Sequence, residues 1–524
     1  MSEDPLLWPP PPVKVLIVTD DRGNFSDRAW GLNALIAALK TTPSVKVEVT
    51  TAHRQNTLES AEADHKNFRF DTHDLTQYDQ IWLFGVYREK EPLSDKELRK
   101  LSEFMNDGGG VFATGDHENL GYAMCGKVPR VRSMRKWYYP KKDPTARTEQ
   151  TDEPIAPPEF GPDRLDTLLS GSDDVFTLDD QSDDIPQTIY PTFYSVNDPT
   201  GKPYRWHTHP LLSGCRGTIT VLPDHPHEGE CYVPAKRDNK FTFDGHEVVE
   251  YPQSVAPVLV AHATVGVVPD PAKHFKGALN RQSFGVIGAY DGQLADVGRV
   301  VVDATWHHFF NINLIGDKEN CDPVKRAGFL ASEKGRQAYE DIKSYFRNIA
   351  LWLAPPQVQL LMWWRTAWAL RWHHQISMSL RPEYLADPNS LTFDEIRRVG
   401  HLARSARVEG IVVEWVGRLG IGALRPEIWD TLGSQVDPWL ATAAESGGSA
   451  LDPDLVIESA LGAVVYGIAA EFPDPTAEAV ARAETADWAE VLSPAVDRAL
   501  ALLSDHVQRT TEQLTGLGRT LSAG

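Results

Sequence analysis

Histidine and carboxylate side chains gather at three places in this chain, and their types suit proton transfer or metal ligation. The first is Asp116-His117-Glu118, inside the run GGGVFATGDHENLG at 108–121. The second is DHPHEGE at 224–230, which holds His225, His227 and Glu228. The third is His307-His308, just after the apolar run RVVVDA. Asp20-Asp21 join them if the strands lie side by side, because they follow VKVLIVT. A histidine with a carboxylate beside it is a general base with an orienting partner. The same donors hold Zn²⁺, Mn²⁺ or Fe²⁺, and such an ion turns bound water into a nucleophile at neutral pH. No H-E-x-x-H or C-x-x-C spacing selects one chemistry over the other.

Each cluster also has a plainer reading. Asp116 has the chemistry of a helix N-cap. DHPHEGE reads equally as a solvated loop. Adjacent histidines point to opposite sides of an extended chain, so one of His307 and His308 is expected at the cleft. A basic run, KVPRVRSMRKWYYPKK at 127–142, directly follows the first cluster. Its Arg132 and Arg135 are candidates to bind an anionic substrate group, since arginine grips phosphate or carboxylate with two hydrogen bonds. Trp137, Tyr138 and Tyr139 offer faces for a sugar or base. The alternative is a solvated basic loop paired with acidic neighbours.

The elements that must position these residues are legible. VKVLIVT at 13–19 is a short β-branched run and predicts a buried parallel strand. Further strands are expected at 45–50, 80–86 and 111–115. Ser94 and Glu97 form an S-x-x-E capping box for the helix between the last two. Later strands are expected at 217–222, 257–263, 284–289 and 299–304. The alternation predicts a parallel sheet with helices on both faces, and its carboxyl rim carries the clusters. The stretch 138–205 is rich in Pro, Asp and Thr without a period, and reads as a long insertion.

From about 333 the pattern turns helical, with Tyr339, Ile342, Phe346, Ile349 and Leu353 three and four residues apart. Thr392 and Glu395 form a second capping box. Three units follow: a disordered segment at 1–12, an α/β domain at 13–332 with its insertion, and a helical domain at 333–524. Trp352, Trp363, Trp364, Trp368 and Trp372 predict association into a homo-oligomer through that domain. The uncharged stretch 348–364 is too short and too rich in Pro and Gln to span a bilayer, and reads as a buried helix pair or subunit interface, with an interfacial membrane helix as the alternative.

Composition bounds the partners. The formal net charge of −21 over 524 residues argues against nucleic acid. The four cysteines are widely spaced and read as free thiols of a reducing cytoplasm. MSEDPLLWPPPP lacks a basic start and an apolar run, so no secretory signal is expected there.

The pieces VKVLIVTDD, YDQIWLFG, LSDKELRKLSEFMNDGGGVFATGDH and GRVVVDATWHH together resemble the class I glutamine amidotransferase-like superfamily, in its ThuA-like branch. The resemblance covers about 13–125 and 210–315. It implies a flavodoxin-like α/β fold, with a nucleophile at a strand–glycine–helix turn and a histidine from a late strand. The superfamily places Cys in G-x-C-x-G at that turn. Here the turn reads Thr114-Gly115-Asp116-His117, and Cys125 lies further on, so glutaminase chemistry is not expected. The expected function is a hydrolase-like enzyme for a small polar or anionic substrate, carbohydrates included. Its catalytic candidates are Asp116, His117, Glu118, His307 and His308. Asp20, Asp21, Arg132 and Arg135 are candidates for substrate, and His225, His227 and Glu228 for a divalent metal. The alternative is a non-catalytic ligand-binding or assembly protein on a degenerate amidotransferase-like fold.

Overall fold

The computed structural model describes residues 12–42, 45–88, 90–116, 120–137, 187–197, 203–214, 217–223, 229–265, 282–319, 326–387, 390–405, 453–474 and 476–522. Eight strands form one mixed sheet: β1 (Val13–Thr19), β2 (Val47–His53), β3 (Gln80–Phe84), β4 (Gly110–Thr114), β5 (Tyr190–Pro191), β6 (Val258–Val265), β7 (Gln282–Tyr290) and β8 (Val300–Asp303). Their order is β2-β1-β3-β4-β8-β7-β6-β5. The first five run parallel. The last three alternate antiparallel from β8 outward.

The parallel half follows from composition. Leu16, Ile17 and Val18 of β1 are fully buried, as are Ile81, Trp82 and Leu83 of β3. Burying one such aliphatic side chain contributes roughly 1.5–3 kcal/mol. Helix α1 (Asn33–Lys40) packs beside β2, and α2 (Asp95–Asn106) leads into β4. The expected capping box is present: Ser94 accepts from the Glu97 amide, and Glu97 accepts from Ser94.

The fully parallel sheet is corrected. A parallel crossover takes a dozen residues or more. The link 291–299 holds only one 3₁₀ turn, Gly292–Ala295, so β7 and β8 must pair as neighbours running oppositely. The strand expected at 217–222 is two short pieces outside the main sheet. Gly217–Thr218 pairs with Ser213–Gly214, and Val221–Leu222 pairs with Gln187–Thr188. Gly217 has φ +131, which breaks a regular strand there.

Register makes the carboxyl rim level. His53 pairs with Thr19, Thr19 with Phe84, Phe84 with Thr114, and Thr114 with Asp303. Four of these five strand ends lead directly into the site.

The first helix past 333, α3 (Glu333–Leu353), lies on the sheet rather than apart from it. Gln80 donates to the Ala350 carbonyl, and Arg299 to that of Trp352. Helices α4 (Pro356–Trp372), α5 (Phe393–Ser405), α6 (Pro453–Glu471) and α7 (Trp488–Ser522) pack chiefly on one another. Trp352 and Trp368 are buried within this chain, and Trp368 meets Trp372, Phe472 and Trp488. Among the described residues, no helix is long and apolar enough to cross a membrane.

Candidate functional site

The turn after β4 is set by glycine. Gly121 has φ +93, and a Cβ there would stand 2.8 Å from the Gly115 Cα and 3.0 Å from the Gly85 carbonyl oxygen. The chain therefore folds back tightly, and the Asp116 amide donates to the Leu120 carbonyl at 3.1 Å. The short helix Tyr122–Cys125 has Gly121 at its N-cap and no side-chain cap. Capping is thus not the job of Asp116.

Its carboxylate turns instead to the end of β8. Oδ1 accepts from the Thr305 hydroxyl at 3.1 Å, and Oδ2 lies 3.5 Å from Nε2 of His307. The other ring nitrogen of His307, Nδ1, is 2.9 Å from Oδ1 of Asn313. An oxygen faces Nδ1, an arrangement that suits the tautomer with its hydrogen there and turns Nε2 toward Asp116. Thr305 caps the 3₁₀ turn Trp306–His308 and accepts from the His307 amide at 3.0 Å. One hydroxyl thus fixes both members of the pair.

His308 serves a different carboxylate. Its Nδ1 lies 2.7 Å from Oδ1 of Asp303, which also accepts from the Thr305 amide. Oδ2 of Asp303 accepts from the Tyr345 hydroxyl of α3 at 2.8 Å. His308 and Asp303 are fully buried. The two histidines do diverge, although a 3₁₀ turn rather than an extended chain separates them.

Arg135 ties the two strand ends together. Its Nη2 donates to the carbonyl oxygens of Asp116 and Ala304, each at 2.7 Å, and its guanidinium lies over Trp137, 4.4 Å from the ring centroid. Gly229, at the end of the DHPHEGE run, is packed so closely on this guanidinium that a Cβ would stand 2.1 Å from Nη2. Glu230 pairs with Lys136 at 3.3 Å. One side chain therefore touches the backbones on both sides of the expected composite site.

The rest of the basic run faces inward. Arg132 lies over Phe241 at 3.8 Å, and Arg130 donates from Nε to the Glu250 carbonyl and from its backbone amide to the Glu250 carboxylate. Burial pushes the Glu250 carboxyl up. Trp137 is buried and donates to the Val131 carbonyl. The solvated-loop reading of 127–137 is therefore corrected: apolar and acidic partners draw these arginines into the interior. Tyr138 and Tyr139 lie outside the described residues.

Asp20 is buried at the end of β1, and its Oδ1 accepts from the amides of Val86 and Tyr87 at 2.7 and 3.1 Å. Burial raises its pKa to about 7, against the pull of those two amides and of Arg54. Asp21 diverges from it: its φ is +52, and its carboxylate sits 3.7 Å from Arg22. Cys125 points its thiol at the Thr114 carbonyl, and burial holds it far above the usual thiol range. It is a core side chain, not a displaced nucleophile.

His117, Glu118, His225, His227 and Glu228 lie outside the described residues. Among the described residues, no group of three or more His, Cys, Asp or Glu side chains is arranged to hold a metal ion. The structure adds Thr305, Asn313, Asp303 and Tyr345 to the site. Asp303 alone left a trace in the sequence, as a charge closing an apolar strand. The chain matches no protein-family model and no curated protein.

Proposed function

We propose that this protein is a hydrolase-like enzyme for a small polar or anionic substrate, with His307 and Asp116 as its proton-transfer pair. The observation that carries this reading is a histidine whose Nδ1 meets Asn313 at 2.9 Å and whose Nε2 faces Asp116 across 3.5 Å, where β4 and β8 end side by side. Ligands of open α/β sheets bind outside the carboxyl ends of the strands. The order β2-β1-β3-β4-β8 within the parallel half agrees with the flavodoxin-like arrangement and with an amidotransferase-like, ThuA-like ancestry. In that ancestry Asp116 stands where the nucleophile stood. A carboxylate cannot replace that thiol in acyl transfer from glutamine, but paired with a histidine it makes a group that takes up and releases a proton. Asp20, held near neutrality, is a second group able to take up or release a proton at the same rim.

A divalent ion, Zn²⁺, Mn²⁺ or Fe²⁺, would supply Lewis acidity to the same reaction. His225, His227 and Glu228 have the donor chemistry for it. The seat of Gly229 on Arg135 brings the end of their loop to Asp116.

One observation favours the alternative, a non-catalytic ligand-binding or assembly protein: the side chains of His307 and Asp116 are 4% and 0% exposed. A panel of p-nitrophenyl esters, phosphates and glycosides separates the two. Turnover that disappears in His307→Gln supports the enzyme. Turnover equal in the two proteins removes His307 from the reaction, and binding without turnover selects the alternative.

A further inference from the structure

Helix α7 is 35 residues long, and its second half stands clear of the body. Leu500, Leu503 and Val507 pack on the core, and His506 stacks on Phe393. From 508 to 522 every residue is exposed, a length of about 22 Å at 1.5 Å per residue. The apolar stripe does not stop where the body stops. Leu500, Leu503, Val507, Thr510, Leu514, Leu517 and Leu521 follow one another at alternating steps of three and four. That is a 3.5-residue repeat, the spacing at which one helix lays its seam against another. Leu514, Leu517 and Leu521 are 63%, 55% and 74% exposed.

This end of the helix is also a poor helix former by itself. Thr510, Thr511, Thr515, Gly516, Gly518 and Thr520 crowd one stretch, and Thr and Gly rank low in intrinsic propensity. Most helical stability in proteins comes from packing of an amphipathic face. A seam that continues past the body with so little propensity behind it needs a partner helix.

The local charge pattern suits a second copy. The chain carries −21 overall, which sets two copies against each other at long range. Along 505–522 the charges are Asp505, Arg509, Glu512 and Arg519, and they cancel. The positions flanking the seam are Ser504, His506, Thr511, Gln513, Gly518 and Thr520, none of them acidic or basic apart from one histidine. Two identical helices can meet here without like-charge contacts. An interfacial membrane helix instead has a polar face rich in Lys and Arg, which this one lacks.

We infer that the exposed seam of α7, centred on Leu514 and Leu517, docks on the same seam of a second copy of this chain. The test is the mass of the full-length protein by sedimentation equilibrium over a concentration series. The wild type moves toward twice 58.3 kDa, and the Leu514→Asp/Leu517→Asp double variant stays at the monomer mass. Both leucines are solvent-facing, so the variant keeps the thermal midpoint that the wild type shows at the dilute, monomeric end of the series. A wild type that is monomeric at every concentration overturns the inference. So does a double variant that associates as the wild type does. Monomeric wild type that floats with phosphatidylcholine/phosphatidylserine vesicles would assign the seam to a lipid surface instead.

Discussion

Oδ2 of Asp116 faces Nε2 of His307 across 3.5 Å, and the Thr305 hydroxyl touches the same carboxylate through Oδ1. Asparagine at position 116 keeps the oxygen that Thr305 donates to and loses the negative charge toward the histidine. Asp116→Asn is therefore expected to fold with a thermal midpoint close to that of the wild type. Once an activity is found, it should fall by about 10²–10⁴, the usual share of a positioned acid–base group. Full activity in Asp116→Asn would return that residue to a structural role.

Asp20 gives the protein a pH dependence of stability with a definite sign. Its folded pKa, about 7, lies above the ordinary value of 3.8 because burial penalises the anion. The folded state therefore binds this proton more tightly than the unfolded chain. Stability from this group is fully present below about pH 4 and is lost as pH rises toward 7. The slope is at most about 1.4 kcal/mol per pH unit for one proton. Asp20→Asn keeps an acceptor for the Val86 and Tyr87 amides and removes the titration. Denaturant unfolding between pH 4 and 8 should show a flatter profile in the variant, with the gain in stability at the alkaline end. Parallel profiles would mean that the carboxyl titrates normally.

Some of this was legible without coordinates, for physical reasons that can be named. Val13–Thr19 read as a doubly covered strand, because nothing between its ends tolerates water on either face except Lys14. Ser94 and Glu97 announced their helix because a capping box is a purely local device. The pairing of Asp116 with the 307–308 histidines was foreseeable from strand ends alone, since parallel strands place their carboxyl ends on one rim. Asn313 and Tyr345 were not foreseeable. Their roles depend on how the turn after β8 closes and on α3 lying across the sheet, and no local pattern encodes either. The antiparallel half was hidden in the length of 291–299, a link too short for a helical crossover. The arginines of 127–137 misled because a basic run looks like surface until Glu250 and Phe241 are seen to receive it.

Cys125 lies near the turn where the resembled superfamily keeps its nucleophile, and its chemistry can be checked directly. Its thiol is buried, lies 3.7 Å from the Thr114 carbonyl, and is held far from ionisation by its surroundings. Thiolate, not thiol, is alkylated. Iodoacetamide should therefore leave Cys125 unmodified in the native protein and label it after unfolding in guanidinium, as read by peptide mass mapping. Cys125→Ala should retain any activity the wild type has. Rapid native labelling, or loss of activity in that variant, would bring a cysteine mechanism back into consideration.

Arg135 is the side chain on which the geometry of the pair depends. Its Nη2 reaches the carbonyls of Asp116 and Ala304 together, and its Nε reaches Ala304 as well. The planar fork matters here as much as the charge. Lysine keeps the charge but offers a compact ammonium on a longer, flexible stem, and it cannot reproduce the fork. Arg135→Lys therefore leaves at least one buried carbonyl poorly served, at a cost of about 1–3 kcal/mol. For a domain of this size that lowers the thermal midpoint by roughly 2–4 °C for each kcal/mol. The strand ends of β4 and β8 are then free to part, and the distance between Asp116 and His307 is no longer fixed. Activity should fall in Arg135→Lys even at temperatures where the variant is fully folded. A variant with wild-type stability and wild-type turnover would show that the two strand ends hold their register without the guanidinium.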